Sequence, residues 1–511
     1  MVFGVATGAA QTPIIASDNI ELVGTFPETV AISAEFARTD EFFYTSSVDN
    51  VSVYDYSANP HQPMLVGTMP TVNFENESMT YGERIVNGEL KRFVLLASDQ
   101  FAAGIDHVHA LGGEIFIVDV TDPTDPHVIS SVVADTSIHT VQCVDQADCE
   151  YAYTAGDHGK FSIIHFPDLE NPVHLKNVPS SAAHPNPVFS PGAGHYWDFD
   201  NAGIGWHTGS GGAVAFDVSD PANPVPVQAG NQISIERPYN DFIFHNSMRP
   251  NADRFQPGQP PSADDGNVLL VTEEDYFFEG DELECEHAGS FQTWHIPDMD
   301  GDAYRAGNPG EAEPGKGTIA PLDIVNAPFD FGGGLSTPVG AFCSAHWFDY
   351  HQDGYVIQAY YQQGVRLLDV RDPRNIEQVG FFTPLATEVW DAYWVPERDA
   401  NGVVTGRKTN LVYTADFVRG VDVLEVTLDP AAQPTAPPTQ PTGSPSPTTS
   451  GSPSATPTTT APSSPTPSGS VQPTGGTTGD GPPLAETGAA PLALAGALGV
   501  FALIAALRRT R

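Results

Sequence analysis

Positive charge is what this chain has least of. Its 511 residues hold 21 lysines and arginines against 64 aspartates and glutamates, a formal net charge of −43 at pH 7. Residues 431–511 contain only Asp480, Glu486, Arg508, Arg509 and Arg511, so removing two acidic and three basic side chains leaves 62 and 18 in the first 430. Such a surface repels phosphate backbones, which excludes nucleic acid as a partner and otherwise reads as a solubilising coat for a salty medium. Reaction signatures are missing as well. No GxSxG, HExxH, GxGxxG or Walker A pattern occurs, so the serine-hydrolase, zincin and nucleotide-enzyme classes have no sequence warrant. Cysteine is scarce, with four in the whole chain. Cys143 and Cys149 flank a short polar turn, a spacing that fits a hairpin staple; Cys285 and Cys343 would then close a long insertion onto a later strand. Four cysteines allow three pairings, and without a CxxC pair a zinc site is the weaker alternative.

What the chain does have is a repeat. Residues Gly113 to Val132 read GEIFIVDVTDPTDPHVISSV: an apolar strand ending in Asp, a Thr-Asp-Pro turn, and a short strand running away from it. The unit returns as GAVAFDVSDPANPVPVQA from Gly212, GVRLLDVRDPRNIEQVG from Gly364, VSVYDYSANPHQPMLVG from Val51 and FSIIHFPDLENPVHLKN from Phe161. Proline fixes φ and gives up its N–H while the preceding Asp or Ser can accept from turn amides, so each strand must stop there. The chain is therefore read as all-β and repetitive.

The IFIVDVTDP and VAFDVSDP segments resemble the LVIVD repeat family of secreted β-propeller proteins. That resemblance implies one propeller over 18–430 and no activity, because propellers carry unrelated functions. At about 40 to 50 residues per blade such a domain absorbs most of the chain. The strand Ile20 to Phe26 (IELVGTF) precedes any complete unit, and the last unit, Leu411 to Leu428, lacks its outer strand. Pairing the two closes a ring of about seven blades and removes open sheet edges. Residues 1–17 are expected to be the remnant of an export signal or an unstructured N-terminus, since Met1 to Ala16 is small and apolar yet lacks a basic n-region. Two blades carry insertions, at Met248 to Val268 and at Asp298 to Leu335. The second opens with Asp298, Asp300 and Asp302, alternating carboxylates like the start of a calcium loop, although Pro309 stands where an EF-hand has Glu.

Aligned on their second strands, the units bring the inner strands into register at Ile138-His139-Thr140, Gly194-His195-Tyr196, Phe244-His245-Asn246, Ala345-His346-Trp347 and Trp390-Asp391-Ala392, with Glu77 at or near the same place. Inner strands line a propeller's channel, so four imidazoles and two carboxylates are expected to face one axis. That donor set suits one divalent transition metal, whether zinc, copper, iron or manganese. A hydrogen-bonded ring with no ligand is the competing reading. Segments between second and third strands supply candidate rim groups: Asp99, Asp157, His158, His207, Glu273, Glu274, Asp275 and Asp416. Trp197, Trp347, Trp390 and Trp394 are read as packing between blades.

Beyond Pro430 the composition turns to Pro, Thr, Ser and Gly through residue 483, which can bury no core and reads as a disordered stalk. At about 3 Å per residue it could reach on the order of 100 Å. The stalk ends at Leu484-Ala485-Glu486-Thr487-Gly488, followed by an apolar run over 489–507 and the basic tail Arg508 to Arg511. This order resembles a Gram-positive cell-wall sorting signal in the LAxTG form of high-GC actinobacteria. The resemblance implies cleavage after Thr487 by a sortase, attachment of Thr487 to peptidoglycan, and a transmembrane helix before cleavage. The expectation is thus an exported, wall-attached propeller acting as a binding or adhesion module for an extracellular protein, polysaccharide or small ligand. The alternative is a metal-dependent extracellular oxidoreductase or hydrolase using the channel cluster, with a metal there activating water.

Overall fold

Each repeat unit folds as the two outer strands of a four-stranded antiparallel sheet, and its Asp residues do the turning. Asp119 and Asp122 accept from the amides of Thr121 (2.7 Å) and Thr124 (3.0 Å). Asp217 and Asp220 do so from Ser219 and Ala222, and Asp369 and Asp372 from Arg371 and Arg374. Two successive Asx turns reverse the chain without any left-handed residue. The computed structural model describes residues 13–429 except 27–29, 48, 71–76, 78, 99–112, 137, 157–159, 180–193, 210–211, 231–242, 276–288, 301–318 and 327–342. The calls on Asp99, Asp157, His158, Cys285, Asp302, the stalk and the Leu484 to Gly488 motif lie outside these residues. The chain divides into a unit ending at Leu428 and one beginning at Asp429. Among the described residues no helix is long and apolar enough to cross a membrane.

Seven sheets follow one another along the chain. Their innermost strands are Ser33–Phe36, Met79–Val86, Thr140–Cys143, Gly194–Phe199, Ile243–Met248, Phe348–His351 and Val389–Arg398, here called blades 1 to 7. Strand order within blades 1 to 5 is sequential from the inner strand outward, and blades 6 and 7 follow it except for an outermost strand taken from the start of the chain. In blade 7 the fourth strand is Ile20–Phe26, paired antiparallel with Val421–Val426. The ring is a seven-bladed β-propeller closed between its ends, as expected. Every blade carries a register shift between third and fourth strands, for instance at Val128/Ser130 and Ile163/Ile164, and such bulges increase the twist that a propeller's outer strands need.

The Asp-Pro turn has a second use that explains why it recurs. The Tyr153 hydroxyl of blade 3 donates to the Pro221 carbonyl of blade 4 at 2.7 Å, Thr293 of blade 5 to Pro373 of blade 6 at 2.5 Å, and Tyr413 of blade 7 to Pro60 of blade 1 at 2.5 Å. These three turns are thereby clamped to the blade before them. At Gly67 of blade 1 any Cβ would run into the Pro123 carbonyl of blade 2, so the close approach requires glycine there. Middle strands are buried on both faces, as in Val365–Asp369 and Gly212–Asp217, and this is why they read as continuous apolar runs rather than as alternation.

Two boundaries differ from the sequence reading. Residues 1–17 are not wholly outside the fold, because Ile14–Ala16 adds a fifth strand to blade 6 by pairing with Phe382 to Pro384. The stretch Asp298 to Leu335 is not all insertion either. Ala320–Asn326 within it is the outer strand of blade 5, unmarked in sequence because no Asp-Pro turn precedes it. The Met248 to Val268 loop is held by Arg249, buried, whose guanidinium pairs with Asp200 at 3.0 Å and donates to the Gly266 carbonyl at 2.8 Å. Cys143 and Cys149 form the expected hairpin disulfide, Cα to Cα 5.4 Å, and Cys343 is also disulfide-bonded.

Phe26 joins the closing strand to the first blade, its ring lying 4.6 Å from Tyr54, 5.6 Å from Tyr413 and 6.2 Å from Phe43. Phe26→Ala is expected to cost about 3–5 kcal/mol in urea unfolding, whereas Leu65→Ala, at a position 54% exposed, should change stability by about 0.5 kcal/mol or less. A Phe26→Ala variant as stable as the parent would mean that this seam does not hold the ring.

Candidate functional site

The starts of the inner strands meet on the axis, and six of seven blades place a chemically active side chain there. His195 and His245 lie within their inner strands, in blades 4 and 5; His139, His346 and Glu77 sit one or two residues before theirs, in blades 3, 6 and 2; Asp391 is the third residue of blade 7's. Backbone bonds fix the approach: His139 N–H donates to the Ala155 carbonyl at 2.7 Å and His346 N–H to that of Ala359 at 3.0 Å. Threonines then tie blade to blade, Thr140 to the His195 carbonyl at 2.5 Å and Thr208 to the His245 carbonyl at 2.9 Å.

Glu77 is the centre of the cluster. Its carboxylate meets Nε2 of His245 at 2.8 Å and of His346 at 2.6 Å, is in close contact with Nε2 of His139, and lies 3.9 Å from Nε2 of His195. The imidazoles form a continuous file, with ring centroids 4.3 Å apart from His139 to His195, 4.2 Å on to His245 and 3.9 Å on to His346. All are buried except His139, whose side chain is 20% exposed. Single ligand atoms of Glu77, His195 and His245 fall within 4.8 Å of one another.

His346 shows how the site is poised. Its Nδ1 stands 2.7 Å from the Trp390 carbonyl and 3.2 Å from Asp391 Oδ1, both acceptors, so Nδ1 must carry a proton. Its Nε2 faces Glu77. Either the ring is an imidazolium, or its Nε2 lone pair points at a site that a cation would fill, which is how a second acceptor fixes a ligating imidazole. Without a metal the first holds: burial opposes the charge, but the bonds to Asp391 and Glu77 push His346 up to about 10. Burial and the neighbouring His346 take His245 down to about 4, and burial with His245 and His139 holds His195 well below its ordinary value. Burial works against Glu77 as an anion, yet His139 and His195 beside it keep its carboxyl well below the usual range.

Of the rim candidates among the described residues, Glu274 alone joins the cluster. Its Oε2 lies 3.8 Å from His195 Nε2, the Tyr361 hydroxyl donates to its Oε1, and burial raises it to about 7. Tyr361, at a positive φ of 43°, carried no sequence signal. Glu273 is buried and accepts from Ser290 at 3.3 Å, and the Asp275 amide donates to Ser344 at 2.8 Å. Two candidates are corrected. Asp416 is no rim ligand: it is fully buried and accepts from the amides of Val418 (2.7 Å), Arg419 (2.9 Å) and Glu388 (3.2 Å) and from the Thr387 hydroxyl, closing its own turn. His207 is no rim group either, since it lies inside a strand, fully buried and stacked on Trp197 at 4.5 Å. Neither Asp298, half-buried, nor Asp300, exposed, belongs to a three-residue metal-ligand group among the described residues. Trp197 and Trp394 pack within the core as expected.

No family model matches the chain, and no curated protein sequence does. Among solved structures, the crystal structure of the Cps50 (Swd1) β-propeller domain of Myceliophteria thermophila is similar, with a TM-score of 0.50 and 11% identity over 80% of this chain and 100% of that one. At that identity the likeness shows the fold, a β-propeller domain, and nothing more. What fold and site define together is a propeller with a buried Glu/His cluster able to hold a metal ion.

His207 also gives a pH test. Burial lowers it to about 3, below the unfolded value of about 6.5. The unfolded state therefore binds the proton first, and stability falls as pH drops through about 6.5 toward 3. Relative to His207→Leu, the parent should lose about 2 kcal/mol between pH 7.5 and pH 5 in denaturant unfolding. Parallel pH profiles for parent and variant would contradict a neutral buried imidazole.

Proposed function

We propose that this chain is an exported, LVIVD-type propeller, displayed on a stalk and joined to the cell wall through Thr487, whose channel holds one divalent transition metal and serves as a binding module. The convergence of four imidazoles on Glu77 carries the metal reading. Three buried rings and the part-exposed His139 around one carboxylate satisfy one another poorly as a hydrogen-bonded ring, because each neutral imidazole presents one donor and one acceptor nitrogen and the carboxylate, which only accepts, can satisfy none of the acceptors. As a ligand set the same atoms are complementary. His139, His195, His245 and His346 would supply neutral nitrogen, Glu77 the anionic oxygen, and Asp391 with the Trp390 carbonyl the outer contacts that orient His346. A bound metal would bring Lewis acidity and, at an open position, a water of lowered pKa.

Elemental analysis of residues 18–430, exported into an oxidising compartment and purified without chelator or His tag, should find about one equivalent of zinc, copper, iron or manganese. A His139/His195/His245/His346 quadruple alanine variant that remains folded should hold less than a tenth of it. Metal-free parent protein of normal stability would contradict the proposal. Wall attachment has its own test: Thr487→Ala should release the protein from the peptidoglycan fraction, and unchanged fractionation would refute the sorting reading.

A second reading, that the module is a metal-dependent hydrolase or oxidoreductase, is favoured by Glu274. A carboxyl near neutrality, set by a tyrosine hydroxyl beside a ligand imidazole, has the protonation behaviour of a general acid or base. Any turnover found for the parent should fall about 100-fold or more in Glu274→Gln with metal content unchanged. No turnover on ester, glycoside or oxidisable substrates, with metal retained, would leave the binding function standing.

A further inference from the structure

Downstream of the His/Glu cluster the inner strands diverge around a cavity of about 800 Å³. Blades 1, 3, 4, 5, 6 and 7 all contribute to its wall. The volume is that of a small-molecule site. Its chemistry is uneven in a telling way. The cations of the wall are already committed: Lys408 to Asp349 at 2.6 Å, Arg407 to Glu397 at 3.1 Å and Arg38 to Glu83 at 3.7 Å.

Two carboxylates have no such partner among the described residues. Glu35, on blade 1, has one weak contact from the Gln146 amide at 3.5 Å, and Asp198, on blade 4, stands far around the ring from it. Both are half-buried in the cavity wall. Burial pushes each up to about 8, against the nearby Lys408 at Glu35 and a backbone hydrogen bond from Arg249 at Asp198, so at neutral pH both are held largely protonated and a bound cation would draw them to the anionic form. Between them the cavity holds aromatic surface: Trp347, with Tyr196 edge-on at 4.6 Å and Tyr393 at 5.9 Å. The Trp347 indole N–H has no partner among the described residues.

We propose that this cavity binds an organic ammonium ion, with Glu35 and Asp198 as counter-charges and Tyr196, Trp347 and Tyr393 as a π surface. Ring faces attract desolvated cations, and two uncommitted carboxylates supply the charge that a neutral ligand could not use. A sugar would stack on the same rings but would leave both carboxylates unpaired. The proposal stands apart from the metal reading, since none of these five side chains is among the proposed ligands.

The test is isothermal titration calorimetry on the intact propeller at 150 mM salt, with choline and spermidine as probes and cellotriose as the uncharged control. At least one amine should bind at a single site. Its affinity should fall ten-fold or more in Glu35→Gln/Asp198→Asn and again in Trp347→Leu, with metal content unchanged in each. The double variant replaces two carboxyls that burial disfavours as anions by amides of the same shape and is expected to melt no lower than the parent, so loss of binding would not be loss of fold. Absence of amine binding, binding of cellotriose alone, or an unchanged amine affinity in the double variant would overturn the proposal.

Discussion

Closure of the ring is the constraint on which everything else in this molecule depends. The strand Ile20–Phe26 reaches across nearly the whole length of the domain to complete blade 7. Only a closed ring brings seven inner strands to one axis, and only on that axis do residues as far apart in sequence as Glu77 and His346 come within 2.6 Å. Neighbouring blades are joined by a recurring small contact, the proline carbonyl of a turn docking on the preceding blade, on a hydroxyl at Pro221, Pro373 and Pro60 and against Gly67 at Pro123. A repeat that looks like a strand-and-turn signature is equally a joint, which is why its sequence is kept even where the strands around it vary.

That double role also decides what could be read from sequence. The blades marked by Asp-Pro turns, the closing strand and the axial positions of His139, His195, His245, His346, Asp391 and Glu77 were all legible, because equivalent positions in a repeat must occupy equivalent positions in space. Elements without the turn were not. Ala320–Asn326 is an outer strand whose immediately preceding sequence contains no Asp-Pro pair, and Ile14–Ala16 is too short to carry a pattern. His207 and Asp416 misled for a different reason. Both stand near the ends of second strands, where one residue of shift decides between an open mouth and a sheet interior, and side-chain parity put His207 against Trp197 and folded Asp416 back on its own turn.

The axis concentrates costs that the rest of the fold avoids. Burying four imidazoles and several carboxylates in one channel disfavours charge on all of them. The side chains themselves answer by concentrating positive charge on His346, held between Asp391 and Glu77, while burial keeps His195 and His245 neutral. A divalent cation would resolve the same problem more fully, letting each ring keep the neutral form that burial already imposes. Farther along the channel the cavity shows the opposite imbalance, with its cations paired and two carboxyls left without an ion-pair partner among the described residues. A cluster able to hold a metal ion and the cavity proposed for an organic cation would then share one channel in a strongly acidic chain.

X-ray absorption at transition-metal K-edges, on protein isolated without chelator or added metal, tests the central claim most directly. Three or four imidazoles in the first coordination sphere, falling in number when His245 and His346 are both changed to alanine, is the result this account predicts. A spectrum of oxygen ligands alone, unaffected by those substitutions, would contradict it and return the axial histidines to a purely structural role.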